Sequence, residues 1–200
     1  MKHTVSSIDS LGAGVTVYCG SCPGADPAFI AGARGVGAAL ARAGVPLIYG
    51  GGRMGLMNAT AVAARAAGGV TLAVIPRFMV ERGWNDPDST HTLVTEDMSV
   101  RKQTFAARSR GVIALPGGIG TMEELAEIIT WRQLGLFGGN IVILNTHGYW
   151  DSFLGQLSAA VAQGFMPEDH TALWEATDDP DRAVGLALRP TAPMHLHRKF

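Results

Sequence analysis

Lysine and acidic residues are sparse in parts of this 200-residue chain. Lys2, Lys102 and Lys199 are its only lysines, and residues 27–80 contain no Asp or Glu although five arginines fall there. An acid-free segment that carries arginine is what an anionic ligand would prefer. The alternative is that a sequence rich in alanine and glycine simply has few acids. Lys102 is the only lysine away from the termini, which singles it out for attention.

Long apolar runs and a strong net charge are also missing, which excludes several classes of protein. No apolar run reaches the ~18–20 residues that span a bilayer, and the first ten residues lack the apolar stretch of a signal peptide. The formal net charge of −1 gives no general attraction to nucleic acid or to an anionic membrane. We therefore expect a cytoplasmic protein whose partner is neither a nucleic acid nor a membrane.

The chain has only two cysteines, which form the pattern Cys19-x-x-Cys22. A zinc site would need two more ligands at matching spacing, and the six histidines are scattered. A redox pair would place its second cysteine at a helix start, whereas Pro23 and Gly24 follow here. We therefore expect neither a metal site nor redox chemistry.

Short apolar runs alternate with helical patterns, which predicts an α/β fold. Strands are expected at residues 15–21, 45–49, 70–75, 91–95, 112–115 and 141–145, and helices at 27–43, 56–67, 98–109, 122–134, 149–163 and 181–188. This alternation predicts a Rossmann-like parallel sheet with helices on both faces, as a single domain over residues 1–200. Its core should span about residues 15–165 and precede a polar tail, and most of residues 77–97 should form a surface loop.

Residues 112–134 carry the strongest signal for a functional site. An apolar strand runs into a proline and three glycines, and a helix follows: Pro116, Gly117, Gly118 and Gly120 form the turn. Such a turn places backbone N–H groups and a helix N-terminus around one point, which suits an anion. Thr121 would add a hydroxyl and Glu124 a carboxylate. The alternative is a capping box, in which Thr121 caps the helix and Glu124 folds back onto it.

Two other turns should lie at the same edge of the sheet, because ligands of parallel sheets bind beyond the carboxyl ends of the strands. Cys19–Ser21 follow the first strand, and Gly50-x-Gly52-x-x-Gly55 follows the second. The latter matches the dinucleotide fingerprint, but the acidic residue expected about 20 positions later is missing. A phosphate or sugar-phosphate cradle is therefore favoured over a dinucleotide site.

Met98, Arg101 and Lys102 fall at the start of a helix, where cations oppose the helix dipole. Ordinary surface charge and a binding site are both compatible with this pattern, since an unfavourable local choice is often tolerated at a site.

Together these motifs resemble the Lonely-guy family, the cytokinin riboside 5′-monophosphate phosphoribohydrolases. The family signature P-G-G-x-G-T-x-x-E is complete at residues 116–124. Further similarity lies in C-G-S at 19–21, Y-G-G-G-x-x-G-L-M at 49–57, the R-K pair at 101–102, I-T-W-x-Q-L-G at 129–135 and G-Y at 148–149. The likeness covers roughly residues 15–165.

The resemblance implies hydrolysis of the N-glycosidic bond of a nucleoside 5′-monophosphate, with no cofactor and no metal. Arg101 and Glu124 would be the catalytic pair. The matching motif positions imply the residues that bind the substrate: Ser21, Gly51, Gly52, Met98, Lys102, Gly117, Gly118, Gly120 and Thr121. A fixed carboxylate can deprotonate water and stabilise the positive charge that develops on the ribose. The name lysine decarboxylase, which such proteins also carry, would require a Schiff-base lysine, and only Lys102 could serve.

The chain departs from the family pattern at Cys22, Asn58, Arg110 and His147. Arg110 precedes the central strand, so it could lie near the pocket and influence which base is accepted. A non-catalytic nucleotide or molybdenum-cofactor carrier of similar fold is the alternative function. The family commonly forms homodimers, and the apolar helix at 122–134 has little polar surface, so we expect a homodimer.

Overall fold

In the computed structural model, which describes Ile8 and residues 10–191, strands and helices alternate as the sequence predicts. In chain order the elements are β1 (Gly14–Tyr18), α1 (Pro27–Arg42), β2 (Leu47–Tyr49), α2 (Gly55–Ala66), β3 (Thr71–Pro76), α3 (Arg77–Glu81), β4 (His91–Thr95), α4 (Met98–Arg108), β5 (Ser109–Ala114), α5 (Ile119–Gln133), β6 (Asn140–Leu144), α6 (Asp151–Ala162), β7 (Glu175–Thr177) and α7 (Pro180–Leu188). Short 3-10 helices cover Thr146–Gly148 and Glu168–Leu173.

All strand pairs in the described residues are parallel, and the sheet order is β4-β3-β2-β1-β5-β6-β7. The chain builds outward from β1 to β4 and then returns to place β5 beside β1. The strand order therefore reverses between β1 and β5, which is where open α/β sheets bind ligands. The predicted Rossmann-like parallel sheet is confirmed.

Helices cover both faces because successive strand residues point to opposite sides of the sheet. Val15 and Val17 of β1 pack in one core with residues of α1, α2 and α7. Tyr18 packs in the other core with residues of α4 and α5 and with Trp150, which precedes α6. The two faces of the sheet therefore pack in two separate cores.

Asp residues fix the beginnings of two helices. The Asp26 carboxylate accepts a hydrogen bond from the Ala28 amide before α1, and the Asp97 carboxylate accepts one from the Val100 amide before α4. Such caps satisfy backbone donors that have no partner within the helix. The cap at Asp97 matters for the site, because α4 carries Arg101 in its first turn.

Residues 173–188 belong to the core more fully than expected. The helix predicted at residues 181–188 is present as α7, and its Ala183 and Ala187 are completely buried. The strand β7, which pairs with β6, was not predicted because three residues of mixed polarity give no strand pattern. The core thus extends past the expected limit at residue 165. The predicted loose end lies largely in residues 192–200, outside the described residues.

The predicted surface loop before β4 contains one further helix. The five residues of α3 follow β3 directly, and none of them is buried. Too short for a periodic pattern, this helix could not be predicted. Residues 82–90 are irregular, and the strand predicted at residues 91–95 is confirmed as β4.

Candidate active site

A cavity of about 650 Å³ opens at the carboxyl edge of the sheet, between the turns that follow β1 and β5. These turns form much of its wall, and Phe29, Leu56, Met57 and Met79 add apolar surface. The cavity therefore has a polar wall of backbone groups and an apolar wall of side chains. This is the usual composition of a small-molecule site.

Eight of the eleven predicted site residues line this cavity: Ser21, Met98, Arg101, Gly117, Gly118, Gly120, Thr121 and Glu124. The other three, Gly51, Gly52 and Lys102, are not among the lining residues. The structure thus brings together residues from the turn after β1, the first turn of α4, the turn after β5 and the first half of α5. Contact of each predicted residue with a substrate stays a prediction.

The glycine turn after β5 packs closely against the turn after β1. The Gly20 amide donates to the Pro116 carbonyl at 3.0 Å. A Cβ on Gly117 would lie 2.7 Å from the Gly20 nitrogen and 2.2 Å from the Thr121 hydroxyl oxygen, so no larger residue fits there. The Tyr149 hydroxyl donates to the Gly117 carbonyl at 2.6 Å. The turn is therefore held from both sides before any ligand binds.

The capping-box interpretation of Thr121 and Glu124 is wrong. The helix α5 begins at Ile119 with Gly118 as its N-cap, and no side chain caps it. Thr121 is therefore the third residue of the helix and is buried, and Glu124 lies a full turn further in. The first backbone N–H groups of α5 lie at the cavity wall, where the helix dipole favours an anion.

Arg101 is buried rather than part of a charged surface, which excludes the surface interpretation. Its Nε donates to the Val74 carbonyl at 3.1 Å and its Nη2 to the Gly50 carbonyl at 3.0 Å. The guanidinium carbon lies 5.1 Å from the centre of the Phe105 ring. A carbonyl within β3, a carbonyl just after β2 and an aromatic face thus fix the orientation of this side chain.

Glu124 faces the fixed guanidinium across the cavity floor. Its Oε1 lies 3.8 Å from Nη1 of Arg101, and the two side chains are 13% and 6% exposed respectively. Burial raises the pKa of Glu124 to about 7, although the positive charge of Arg101 opposes the rise. A carboxyl group that titrates near neutrality can accept or donate a proton at working pH.

Lys102 contacts α5 instead of the cavity. Its Nζ lies 2.5 Å from Oε1 of Glu123 and 2.9 Å from Oε1 of Glu127, the two acidic neighbours of Glu124 on that helix. These contacts raise the pKa of Lys102. The single lysine in the body of the chain thus neutralises acidic charge beside the candidate catalytic carboxylate.

The glycines after β2 serve packing in this structure. A Cβ on Gly50 would lie 2.2 Å from Nη2 of Arg101, and one on Gly55 would lie 2.6 Å from the Cys22 carbonyl oxygen. Gly51 has φ +73°, which favours glycine. Gly50 thus leaves room for Arg101, and Gly55 lets α2 approach the turn after β1. Substrate binding by Gly51 and Gly52, which is expected from the sequence, stays a prediction.

The residues that depart from the family pattern lie at different distances from the cavity. Cys22 lines it and is exposed, whereas Cys19 is buried and burial raises its thiol pKa. Arg110 is the second residue of β5, at the end of the strand opposite to the cavity, and it is exposed. The expectation that Arg110 lies near the pocket is therefore wrong. Asn58 lines a smaller cavity of about 250 Å³ beside the first.

Sequence reasoning missed several lining residues. Tyr149 belongs to a motif of the family resemblance, so its G-Y pattern was a usable signal. Phe29 of α1 and Met79 of α3 had none, because an isolated apolar residue on a helix predicts only burial. No cluster of His, Cys, Asp or Glu in the described residues could hold a metal ion, and no described helix is long and apolar enough to cross a membrane.

The fold and the cavity define a Rossmann-like protein with a cavity at the switch point of a parallel sheet. The family model described as "Possible lysine decarboxylase" matches residues 57–186. A cytokinin riboside 5′-monophosphate phosphoribohydrolase of Mycobacterium marinum is 40% identical over 170 residues, which cover 85% of this chain and 90% of that protein. One of Rhodococcoides fascians is 40% identical over 157 residues, or 76% of this chain and 77% of that protein. The chain therefore belongs to this family, the Lonely-guy family that its motifs resemble.

A solved structure of the molybdenum cofactor binding protein of Rippkaea orientalis has a similar fold. The TM-score is 0.66 at 23% sequence identity, with 88% of this chain and 96% of that chain covered. Identity at this level shows a common fold and nothing further about function.

Proposed function

We propose that this protein hydrolyses the N-glycosidic bond of a nucleoside 5′-monophosphate to give a free base and ribose 5-phosphate. The observation that carries this proposal is the pairing of Glu124 with a fixed Arg101 at the floor of a cavity whose wall is a helix N-terminus. An anion site and a carboxylate of near-neutral pKa lie in one cavity. The proposal also agrees with the names of the relatives that cover most of the chain.

In this mechanism the 5′-phosphate binds at Gly118, Gly120 and Thr121. Backbone N–H groups and the positive end of the α5 dipole would neutralise its charge, and the Thr121 hydroxyl would donate a further hydrogen bond. Anchoring the phosphate there holds the ribose between the glycine turn and Glu124. The base then extends toward the apolar wall formed by residues such as Phe29 and Met79.

Glu124 acts as the general base and Arg101 as its partner. A water oxygen bonds to C1′ of the ribose while the bond from C1′ to the base nitrogen breaks, and that nitrogen takes up a proton from solvent, to which Glu124 afterwards releases the proton that it accepts from the water. The ionised Glu124 carboxylate accepts the proton of the water and stabilises positive charge on the ribose. The guanidinium of Arg101 keeps part of the Glu124 population ionised, because an opposite charge favours the ionised carboxylate.

The decarboxylase chemistry in the family model's description does not fit this site. A pyridoxal enzyme requires a lysine amine in the cavity to form a Schiff base. Within residues 10–191 the only lysine is Lys102, which does not line the cavity and whose amine contacts Glu123 and Glu127 of α5. No step through such a cofactor is therefore part of the mechanism.

The alternative function, which the sequence motifs leave open, is a non-catalytic carrier of a nucleotide or of molybdenum cofactor. A carrier does not need a carboxylate held near neutral pKa beside an arginine. The two proposals differ in outcome, since a carrier retains its ligand unchanged.

We further propose that the protein is a cytoplasmic homodimer. Ile119 at the start of α5 is 84% exposed, and Leu134 and Leu136 beyond its end are 58% and 68% exposed. Large apolar side chains at such exposure suit a second copy of the chain. Light scattering of the purified protein at micromolar concentration should give twice the mass of one chain, and a monomer would refute this assignment. Cell fractionation tests the location.

The purified protein should release free base and ribose 5-phosphate from AMP or from N6-isopentenyl-AMP. Chromatography of the base and a colorimetric assay of the reducing sugar measure both products. The ratio of the two rates identifies which base the apolar wall prefers. A nucleotide that binds tightly and is recovered unchanged would instead support the carrier.

A further inference from the structure

A second buried carboxylate, Asp86, lies outside the cavity and takes no part in the mechanism above. Its side chain is 3% exposed. The Tyr49 hydroxyl donates to its Oδ2 at 2.7 Å, Nη1 of Arg65 lies 2.9 Å from the same oxygen, and the Asp88 amide donates to Oδ1 at 3.0 Å. Burying a carboxylate is costly unless it is paired and hydrogen-bonded, so three donors on one group indicate a defined role.

Asp86 holds the chain on both sides of Gly50. Its carboxylate accepts the hydroxyl of Tyr49, the last residue of β2, and its own amide donates to the Gly51 carbonyl at 2.7 Å. An isolated antiparallel bridge between Gly52 and Asn85 continues this attachment. The residue between these two anchors is Gly50, whose carbonyl accepts the hydrogen bond from Nη2 of Arg101.

We propose that Asp86 is a positioning residue for the catalytic pair: it fixes the turn after β2, which orients Arg101 toward Glu124 through the Gly50 carbonyl. Asp86 touches neither the cavity nor Arg101, so its effect is indirect. This inference rests on the proposed function for its consequences in catalysis. Its structural part, the orientation of Arg101, can be measured without a substrate.

The charge of Asp86 is suited to this task. Burial alone would raise the pKa of Asp86, but the hydrogen bonds from Tyr49, the Asp88 amide and Arg65 outweigh it and lower the pKa. Asp86 therefore stays ionised across the neutral range and remains an acceptor throughout. Arg65 comes from α2, so the cluster also links that helix to the turn.

If Arg101 loses its fixed orientation, the pKa of Glu124 should rise, because the charge of Arg101 is the largest of the effects that lower it. The other groups around Glu124 come from three elements: Tyr18 of β1, Cys19 after it, Lys102 of α4, and Glu123 and Glu127 of α5. None of these hydrogen-bonds to Asp86 in the described contacts, so a change at Asp86 should reach Glu124 through Arg101.

The experiment compares the wild type with Asp86→Ala and with the conservative Asp86→Asn. The side-chain carboxyl of Glu124 is titrated by carbon-13 NMR in the free protein, with Glu124→Gln used to assign its signal. We expect Asp86→Ala to move the titration midpoint upward by about half a pH unit or more. We also expect kcat at pH 7 to fall about tenfold with a smaller change in KM. Asp86→Asn keeps an oxygen acceptor and should recover part of both effects.

Asn140→Ala is the matched control. Asn140, the first residue of β6, is a polar side chain of similar burial, 5% exposed, which donates to the Leu186 carbonyl of α7 and to the Arg189 carbonyl after it. Its loss should lower the thermal stability without moving the Glu124 titration. If Asp86→Ala behaves in the same way, the positioning role is refuted.

Tyr49→Phe removes a single hydrogen bond of Asp86 and keeps the buried ring. It therefore replaces Asp86→Ala in the titration if that variant does not fold. It should move the Glu124 midpoint in the same direction, and an unchanged midpoint would overturn the proposal. Absence of turnover in the wild type would refute the proposed hydrolase instead, and the NMR comparison would still decide the role of Asp86.

Discussion

Glu124→Gln should make the folded protein more stable at pH 8 and leave its stability nearly unchanged at pH 4. The folded pKa of about 7 lies above the ordinary value of 4.5, so the folded state binds a proton more tightly than the unfolded chain. Stability must therefore fall as the pH rises from about 4.5 to about 7. Glutamine resembles the protonated acid in shape and charge and does not incur this loss.

The magnitude follows from the two pKa values. Their difference, at ~1.4 kcal/mol for each pH unit, makes the ionised carboxylate cost about 3 kcal/mol of folding free energy at pH 8. The cost shrinks to less than about 1 kcal/mol at pH 5. For a chain of this length the pH 8 value corresponds to a rise in Tm of about 6–12 °C. The attraction of Arg101 is already contained in the folded pKa.

Differential scanning calorimetry of both proteins between pH 4 and pH 8 measures this effect. Glu127→Gln is the matched control, since it removes a charge from the same helix at a more exposed carboxylate. A Tm difference for Glu124→Gln that is the same at every pH would refute the reasoning. A loss of stability at pH 8 would also refute the reasoning. Either result would mean that burial of the ionised Glu124 carboxylate does not lower the folding stability.

Three further substitutions test the other parts of the site. Lys102→Met removes a positive charge near Glu124, so the acidic limb of the pH profile of kcat/KM should move to higher pH. KM should change less than about threefold. A large rise in KM alone would instead make Lys102 a substrate ligand. Gly50→Ala places a methyl group 2.2 Å from Nη2 of Arg101 and should displace that side chain. We therefore expect kcat to fall by about 10²-fold. Wild-type kinetics would contradict this close contact. Arg110→Ala should leave the ratio of rates on AMP and N6-isopentenyl-AMP within about twofold, since Arg110 lies away from the cavity; an altered ratio would contradict its remote position.

Local patterns predicted most of the fold because they are sufficient for buried strands and capped helices. Apolar runs of four to seven residues mark the central strands, and the Asp26 and Asp97 caps mark two helix starts. Two short elements carry no such pattern: β7 is three residues long, and α3 is five residues long with no buried side chain. Both exist because the surrounding structure supports them.

The residues of the site also differ in whether the sequence could predict them. The glycine turn was predicted from its spacing, whereas the pairing of Arg101 with Glu124 was expected only from the family resemblance. The position of Asp86 was not predicted because its partners Tyr49 and Arg65 are 37 and 21 residues away, and only the folded sheet makes them neighbours. The function of a buried charge depends on such long-range partners.

The central claim is that Glu124 performs the chemistry while other groups hold the nucleotide. The most direct test measures nucleotide binding by calorimetry and product release for the wild type and for Glu124→Gln, with one nucleotide at one pH. Turnover should fall by about 10²- to 10⁴-fold, as expected for loss of a general base, while Kd changes little. Turnover near the wild-type rate in Glu124→Gln would contradict the claim.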